Sequence, residues 1–415
     1  VAYDLVERRV FVTDLEIGMY VSRLDCDWSD TPFPLQGLPI TSREDIESLS
    51  RFCKYVFVDT QRQVTPDRSL RPPSVVVKRP AVIHRPAAVS LRLVSRHAYA
   101  DTASFDDEMP RAKAAFDTVA DFAVQMVDDL RQGRVVEPQA VEDAVRPMVE
   151  SVLRSGDAFF WIESLRRRDG YTYQHAIGCS TLAAAFGRHM GFEGDAIVSL
   201  AAGGLLMDVG KSQLPEELLS RDGPLNDDEW DIARQHVGEG VAILDHSGVV
   251  DNEVRDMVAT HHERFDGTGY PAGLAGTEIP LAGRMAAIID TYHAMSTPRP
   301  YRAAVSQHVA LRELYAGRDR EFQGELVEQF QACLGVYPTG TLVELNTGEV
   351  AIVMVQNQSR RLQPRVAILT RPDKTHLDDF LIVDLMRQVE IVRREIMRTL
   401  PPHSHGIDPR EYFTA

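Results

Sequence analysis

The chain has 415 residues, 44% of them hydrophobic and 26% charged, which is too long for one ordinary core and far from disordered or collagen-like compositions. A net charge of −16 excludes a broad grip on a nucleic-acid backbone, which needs many cations, but leaves room for a small anionic ligand at a local cationic cluster. Cys26, Cys53, Cys179 and Cys333 are dispersed, with no CxxC pair and no dense framework, and read as reduced thiols of a cytoplasmic protein.

The opening VAYDLVERRV carries Asp4 and Glu7 where an export signal needs a basic start and an apolar run. The longest apolar stretch, Leu200 to Met207, stops at Asp208 and is too short to span a bilayer, so neither export nor a membrane anchor is expected. Residues 1–61 mix β-branched runs (Val10 to Val12, Tyr55 to Asp59) with one helical stretch, SREDIESLSRF, that begins on a serine cap with an acidic first turn; a small α+β domain follows from this. Residues 62–100 are rich in Pro and Arg, which denies them elements of normal length, and form a linker.

From 101 to 155 apolar residues recur at three and four (Phe116, Val119, Phe122, Ala123, Met126, Val127, Leu130), the pattern of amphipathic connecting helices. Helical periodicity continues through 156–335, which makes the chain mainly α. After Pro338 the period becomes two: TLVELNTGEVAIVMV alternates around an Asn-Thr-Gly turn and RVAIL adds a strand, so 336–400 is expected to hold a short β appendage. Within it, Leu377 to Glu395 shows helical spacing and is expected to form a C-terminal helix, before a polar tail at 401–415.

Six potential metal ligands lie in the helical block: His175, Asp208, His236, the adjacent His261 and His262, and Asp290. Mixed imidazole and carboxylate donors suit zinc, iron or manganese better than calcium or magnesium. Taken singly each is an ordinary hydrogen-bonded residue; the set changes that reading.

The string HHERFDGTGYP from His261 to Pro271, continued by GLAGTEIPLAGRMAAIIDTYHAMSTPRPYR to Arg302, resembles the signature of the HD-GYP family, cyclic di-GMP phosphodiesterases of the HD phosphohydrolase superfamily. QHAIG around His175, LLMDVGK around Asp208 and EWDIARQHVGEG around His236 fit the same pattern, and the likeness covers roughly residues 160 to 335. It implies an all-helical HD-type domain holding two divalent metal ions (Fe, Mn or Zn). His175, Asp208 and Asp290 would serve one position, and His236, His261 and His262 with the shared Asp208 the other. Such a pair lowers the pKa of water and clamps phosphate oxygens for in-line attack. Asp208 and Lys211 would act in catalysis, and Lys211, Tyr270, Arg299 and Arg302 would contact the dinucleotide, arginine offering phosphate a planar fork. The loop bracketed by Gly267 and Gly269 is tied in the family to substrate handling and to docking proteins such as diguanylate cyclases; homodimerisation is also compatible.

Three departures stand out. Met207 occupies the position of the namesake histidine, so one of about four ligands to the first metal is a thioether and that site should be weakened or empty. His293 stands where the family has Asp; three residues after Asp290, it is a candidate to replace the missing ligand, against the alternative of simple decay. Tyr171 replaces the Glu of trinuclear members, leaving two metals at most.

Residues 1–61, with LEIGMYVSRLDCDWSDTPFPLQGLPITS, resemble a domain of unknown function often fused ahead of HD-GYP domains; Trp28, Phe33 and Pro34 are candidates for a sensor pocket or for ordinary core. The leading expectation is a phosphodiesterase giving pGpG or GMP, with Met207 as a reason for reduced activity. The alternatives are a catalytically silent cyclic di-GMP receptor or adaptor working through the GYP loop, and HD chemistry on another phosphate ester.

Overall fold

The structure, a computed structural model, describes residues 7–24, 38–40, 43–59, 97–165, 171–219, 221, 223, 225–249, 251–297, 304–357, 360–388 and 393–408. The expected linker up to residue 96, Ser42, Trp28, Phe33, Pro34, Arg299, Arg302, the side chain of Tyr171 and the end of the tail lie outside the described residues. The chain divides into two units, Val1–Ala88 and Val89–Ala415.

In the first unit β1 (Glu7–Phe11), β2 (Tyr20–Leu24), β3 (Leu38–Pro39) and β4 (Tyr55–Asp59) form an antiparallel sheet in the order β1-β4-β2-β3, with α1 (Arg43–Ser50) preceding the last strand. The β-branched residues drive it: Val10, Val21, Val56 and Val58 are buried together with Ile40 and Leu49. This is the α+β unit expected from the sequence.

The second unit begins with α2 (Phe105–Arg131) and α3 (Pro138–Arg154). Ser104 caps α2 by accepting from the Asp107 amide at 3.2 Å, and three acids occupy the first turn, where they meet the positive end of the helix dipole. The stripe Phe116, Val119, Ala123, Met126 and Leu130 is buried as its spacing requires. Glu108, wholly buried, accepts two hydrogen bonds from Arg154 at 2.8 and 2.9 Å and so ties α2 to the end of α3.

The site is carried by the helices that follow: α4 (Ala158–Leu165), α5 (Tyr171–His189), α6 (Gly194–Leu206), α7 (Glu216–Leu219), α8 (Asp227–Arg234), α9 (His236–Ser247), α10 (Asn252–Thr260), α11 (Leu281–Ser296), α12 (Gln307–Ala316) and α13 (Gly324–Leu334). Past its first turn α6 is almost entirely apolar and buried, Ile197, Val198 and Leu200 through Leu206 all being inside, which makes it the central helix. Among the described residues no helix is long and apolar enough to cross a membrane.

The appendage is larger than expected: β5 (Leu342–Leu345), β6 (Val350–Val355), β7 (Arg365–Thr370), β8 (His376–Asp384) and β9 (Ile396–Leu400) make an antiparallel sheet ordered β8-β7-β6-β5-β9. Strand alternation decides its packing. Val350, Ile352 and Met354 of β6 join the main helical core, while Ala351 and Val353 face a separate cluster with Val343, Val366 and Ile368. The expected C-terminal helix is corrected: its first half is β8 and no helix forms there among the described residues. β8 is an edge strand whose Leu381 and Ile382 remain exposed, so neither face imposes a period of two and the apolar spacing imitates a helix.

Candidate metal centre

Five separate segments each deliver one or two of the expected donors. His175 lies in the first half of α5, Asp208 in the turn that ends α6, His236 at the first position of α9, His261 and His262 just after α10, and Asp290 in the middle of α11. They converge. His175 Nε2 lies 3.0 Å from Asp290 Oδ1 and 3.4 Å from Asp208 Oδ2. On the other side of the same carboxylate, Asp208 Oδ1 lies 3.5 Å from His236 Nε2 and 3.6 Å from His261 Nε2. His262 Nδ1 is 3.8 Å from Asp290 Oδ2. Asp208 therefore stands between two donor groups, His175 with Asp290 and His236 with His261 and His262, each compact enough to surround one ion.

The hydrogen bonds behind the rings fix which nitrogen faces inward. His236 Nδ1 donates to the Ala233 carbonyl at 2.6 Å, and His261 Nδ1 lies 3.1 Å from the carbonyls of both Met257 and Val258. A carbonyl accepts only, so each Nδ1 carries the proton and a neutral ring presents a bare Nε2. Those two Nε2 atoms are 3.3 Å apart. Two lone pairs at that separation repel unless a cation lies between or beside them. Burial pushes His236 down to about 4 and His262 well below the ordinary histidine range, so both rings stay neutral at physiological pH. Asp208 Oδ1 is buried and accepts no hydrogen bond among the described residues. Neutral imidazoles, an orphaned carboxylate oxygen and two opposed lone pairs fit a divalent cation of the zinc, iron or manganese class.

Burial alone would raise the two carboxyls, but the Lys211 ammonium holds Asp208 well below the carboxylate range and the His175 hydrogen bond does the same for Asp290. Lys211 Nζ sits 2.5 Å from Asp208 Oδ2 and is 27% exposed at its side chain. Tyr270 stacks on the His262 ring at 4.7 Å between centroids, with the Arg234 guanidinium 5.5 Å from its own ring centre. Gly267 adopts φ +81, a left-handed value that glycine tolerates; Gly269 is required for another reason, since a Cβ there would lie 2.3 Å from the Arg264 amide nitrogen.

Met207 is 1% exposed and belongs to the apolar cluster that also contains Cys179, Leu182 and Met257. His293 does not join the carboxylate-bearing groups: its Nδ1 meets His175 Nδ1 at 3.0 Å, and with His175 and Cys179 it forms a separate buried set of donors within ligand reach of one another. Three residues were missed in the sequence. Cys179 places Sγ 3.5 Å from His175 Nε2, and its thiol is pushed well above its ordinary range by burial and by the Asp290 and Asp208 carboxylates. Buried Glu263 accepts from the amides of Ala272 and Leu274 at 2.7 and 3.0 Å and so anchors the loop carrying Tyr270. Arg234 reaches both Tyr270 and the exposed Trp230. The one available signal was position: Cys179 is one helical turn after His175, Glu263 follows the His pair, and Arg234 stands two before His236.

The HD domain family matches residues 157–326, and a domain of unknown function, DUF3391, matches residues 7–141, reaching past the expected boundary at 61 into α3. The chain is 32% identical over 370 residues to the cyclic di-GMP phosphodiesterase PA4108 of Pseudomonas aeruginosa, covering 87% of this chain and 84% of that protein. It is 37% identical over 169 residues to the 3'3'-cGAMP-specific phosphodiesterase 2 of Vibrio cholerae, covering 40% of this chain and 32% of that one. A solved chain described as Bd1817, a HDG"Y"P protein from Bdellovibrio bacteriovorus, is similar at 15% identity and a TM-score of 0.47, over 79% of this chain and 99% of that one. The chain belongs to the HD-GYP family, with DUF3391 ahead of its HD domain.

Proposed function

We propose that this HD-GYP family member is a metal-dependent phosphodiesterase that opens cyclic di-GMP to pGpG or GMP, at a rate lowered by Met207. The observation that carries this reading is the position of Asp208, whose two oxygens face two different donor groups. The similarity to the Pseudomonas aeruginosa protein, which extends through both halves of the chain, supports the choice of substrate.

When bound, a pair of divalent cations supplies Lewis acidity toward a phosphate oxygen and lowers the pKa of a water molecule. His175, Asp208 and Asp290 are proposed to hold one position and Asp208, His236, His261 and His262 the other. The chain's own contribution is preorganisation: the carbonyls of Ala233, Met257 and Val258 hold His236 and His261 in the tautomer that points a lone pair inward. Lys211, beside Asp208, is proposed to take up a phosphate oxygen, and Tyr270, flat against His262, to offer a face to a base or sugar. Arg299 and Arg302, outside the described residues, are proposed to complete the phosphate contacts.

The test is incubation of purified, manganese- or iron-loaded chain with cyclic di-GMP and, separately, with 3'3'-cGAMP, followed by chromatographic analysis of the products. Turnover of cyclic di-GMP that disappears in Asp208→Ala is the expected result. Tight binding without product in any metal form would favour the receptor or adaptor reading, to which the loss of an imidazole at Met207 points. Preference for the mixed dinucleotide would move the substrate within the same chemistry.

A further inference from the structure

We propose that Arg234 and Trp230, both on α8, read one guanine base of the substrate, the guanidinium donating to its O6 and N7 while the indole stacks on its ring. The inference rests on the cyclic-dinucleotide reading above and names the residues that set its base preference. The two side chains are four residues apart and share a face of the helix. A reciprocal cap fixes the start of α8: Asn226 Oδ1 accepts from the Glu229 amide at 2.9 Å, and Glu229 Oε2 accepts from the Asn226 amide at 2.8 Å. Two residues after Arg234 the chain reaches His236, so the helix is tied directly to the donor set.

A run of planar groups leads from the candidate metal centre to these side chains. His262 Nδ1 is 3.8 Å from Asp290 Oδ2, and the Tyr270 ring centre lies 4.7 Å from that of His262. The Arg234 guanidinium carbon is 5.5 Å from the Tyr270 centroid and 5.8 Å from that of Trp230. Arg234 is uncommitted: among the described residues its N–H groups make no hydrogen bond, its ion pair with Asp231 is 3.7 Å long, and its side chain is 52% exposed. Trp230 is 45% exposed, and an indole left in water forgoes burial energy that a stacked base would recover.

Guanine presents two acceptors, O6 and N7, side by side on one edge, and a guanidinium fork donates to both. Adenine carries the N6 amino donor beside N7, and a guanidinium has no acceptor to meet it. Stacking on an aromatic ring tolerates any base, so discrimination falls to Arg234 while Trp230 adds affinity. A position read in this way admits cyclic dinucleotides with at least one guanine and disfavours one with two adenines.

Equilibrium titration of the metal-loaded full chain with hydrolysis-resistant phosphorothioate forms of cyclic di-GMP and cyclic di-AMP tests this, followed by calorimetry and tryptophan emission. The wild type is expected to bind the guanine form about 10 to 100-fold more tightly, with quenched emission. Arg234→Ala removes most of that preference, and Arg234→Gln, whose amide matches the N6 and N7 edge of adenine, shifts it toward the adenine form. Trp230→Leu weakens both forms about equally and abolishes the quenching. Metal content is unchanged in all three variants. A wild type without preference, a preference that Arg234→Ala retains, or emission indifferent to binding would overturn the proposal while leaving the cyclic-dinucleotide reading standing. Failure of the wild type to bind either form would instead overturn that reading and the proposal with it.

Discussion

The Nδ1 atoms of His175 and His293 lie 3.0 Å apart, their rings edge to face at 66°. One of the two must donate: while His175 Nε2 carries the proton shared with Asp290, His293 is the donor, and only when His175 Nδ1 carries it instead is Nε2 bare toward a cation. His293 is held in turn by Thr297, whose Oγ1 is 3.3 Å from Nε2. It acts as a positioning residue behind His175.

His293→Ala is therefore expected to weaken metal binding by about 10 to 100-fold while the chain stays folded. Gly178→Ala should act from the other side, because a Cβ at 178 would sit 2.0 Å from His293 Nε2 and must displace the ring. Calorimetric titration with zinc checks both. Unchanged affinity in His293→Ala would remove the positioning role.

A pH dependence follows from His236. Burial takes its folded value down to about 4, below the ~6.5 of an unfolded chain. The depressed ring favours the native state fully above about pH 6.5, and this contribution is lost as pH falls toward 4, because the unfolded chain binds a proton that the folded one refuses. In chelator-treated protein the loss should amount to roughly 3 kcal/mol across that window. His236→Gln should show a correspondingly flatter profile in denaturant unfolding. Parallel profiles would contradict the assignment.

Glu263 anchors the loop that carries Tyr270 through the Ala272 and Leu274 amides. Replacing it with Ala frees the loop to rehydrate those donors, at a cost of about 1–1.5 kcal/mol in substrate binding. The expected outcome is a KM for cyclic di-GMP raised about tenfold with metal stoichiometry unchanged. Steady-state kinetics and metal analysis of the same sample decide it; an unaltered KM would separate the loop from substrate handling.

Far from the site, Arg154 partners the buried Glu108. Arg154→Met leaves the Glu108 carboxylate with only the longer contact to Arg111, at 3.7 Å, and should cost roughly 3 kcal/mol, the low end for a broken buried pair because Arg154 is 30% exposed. Urea unfolding measures this, and a change under 1 kcal/mol would show that water replaces the arginine.

The long motif after His261 made the donor set legible, because its likeness to the HD-GYP signature extends to the segments around His175, Asp208 and His236. Helical and strand periods gave the α+β unit, the helical block and the hairpin around Asn346 to Gly348. Leu377 to Glu395 misled because an edge strand buries neither face fully, and nothing in its apolar spacing announces β7 beside it. Cys179 was passed over because a scattered cysteine carries no pattern; only its distance to His175 singles it out. The direction of His293 was equally hidden, for spacing from Asp290 fixes a helix face but not which edge of His175 the ring meets.

The central claim is that Asp208 is shared between two cation positions, and elemental analysis of wild-type and Asp208→Ala chains after identical loading and desalting tests it most directly. Two divalent ions per wild-type chain, both lost in Asp208→Ala, is the result the account predicts. A wild type that retains no metal, or an Asp208→Ala chain that keeps both ions, would contradict it.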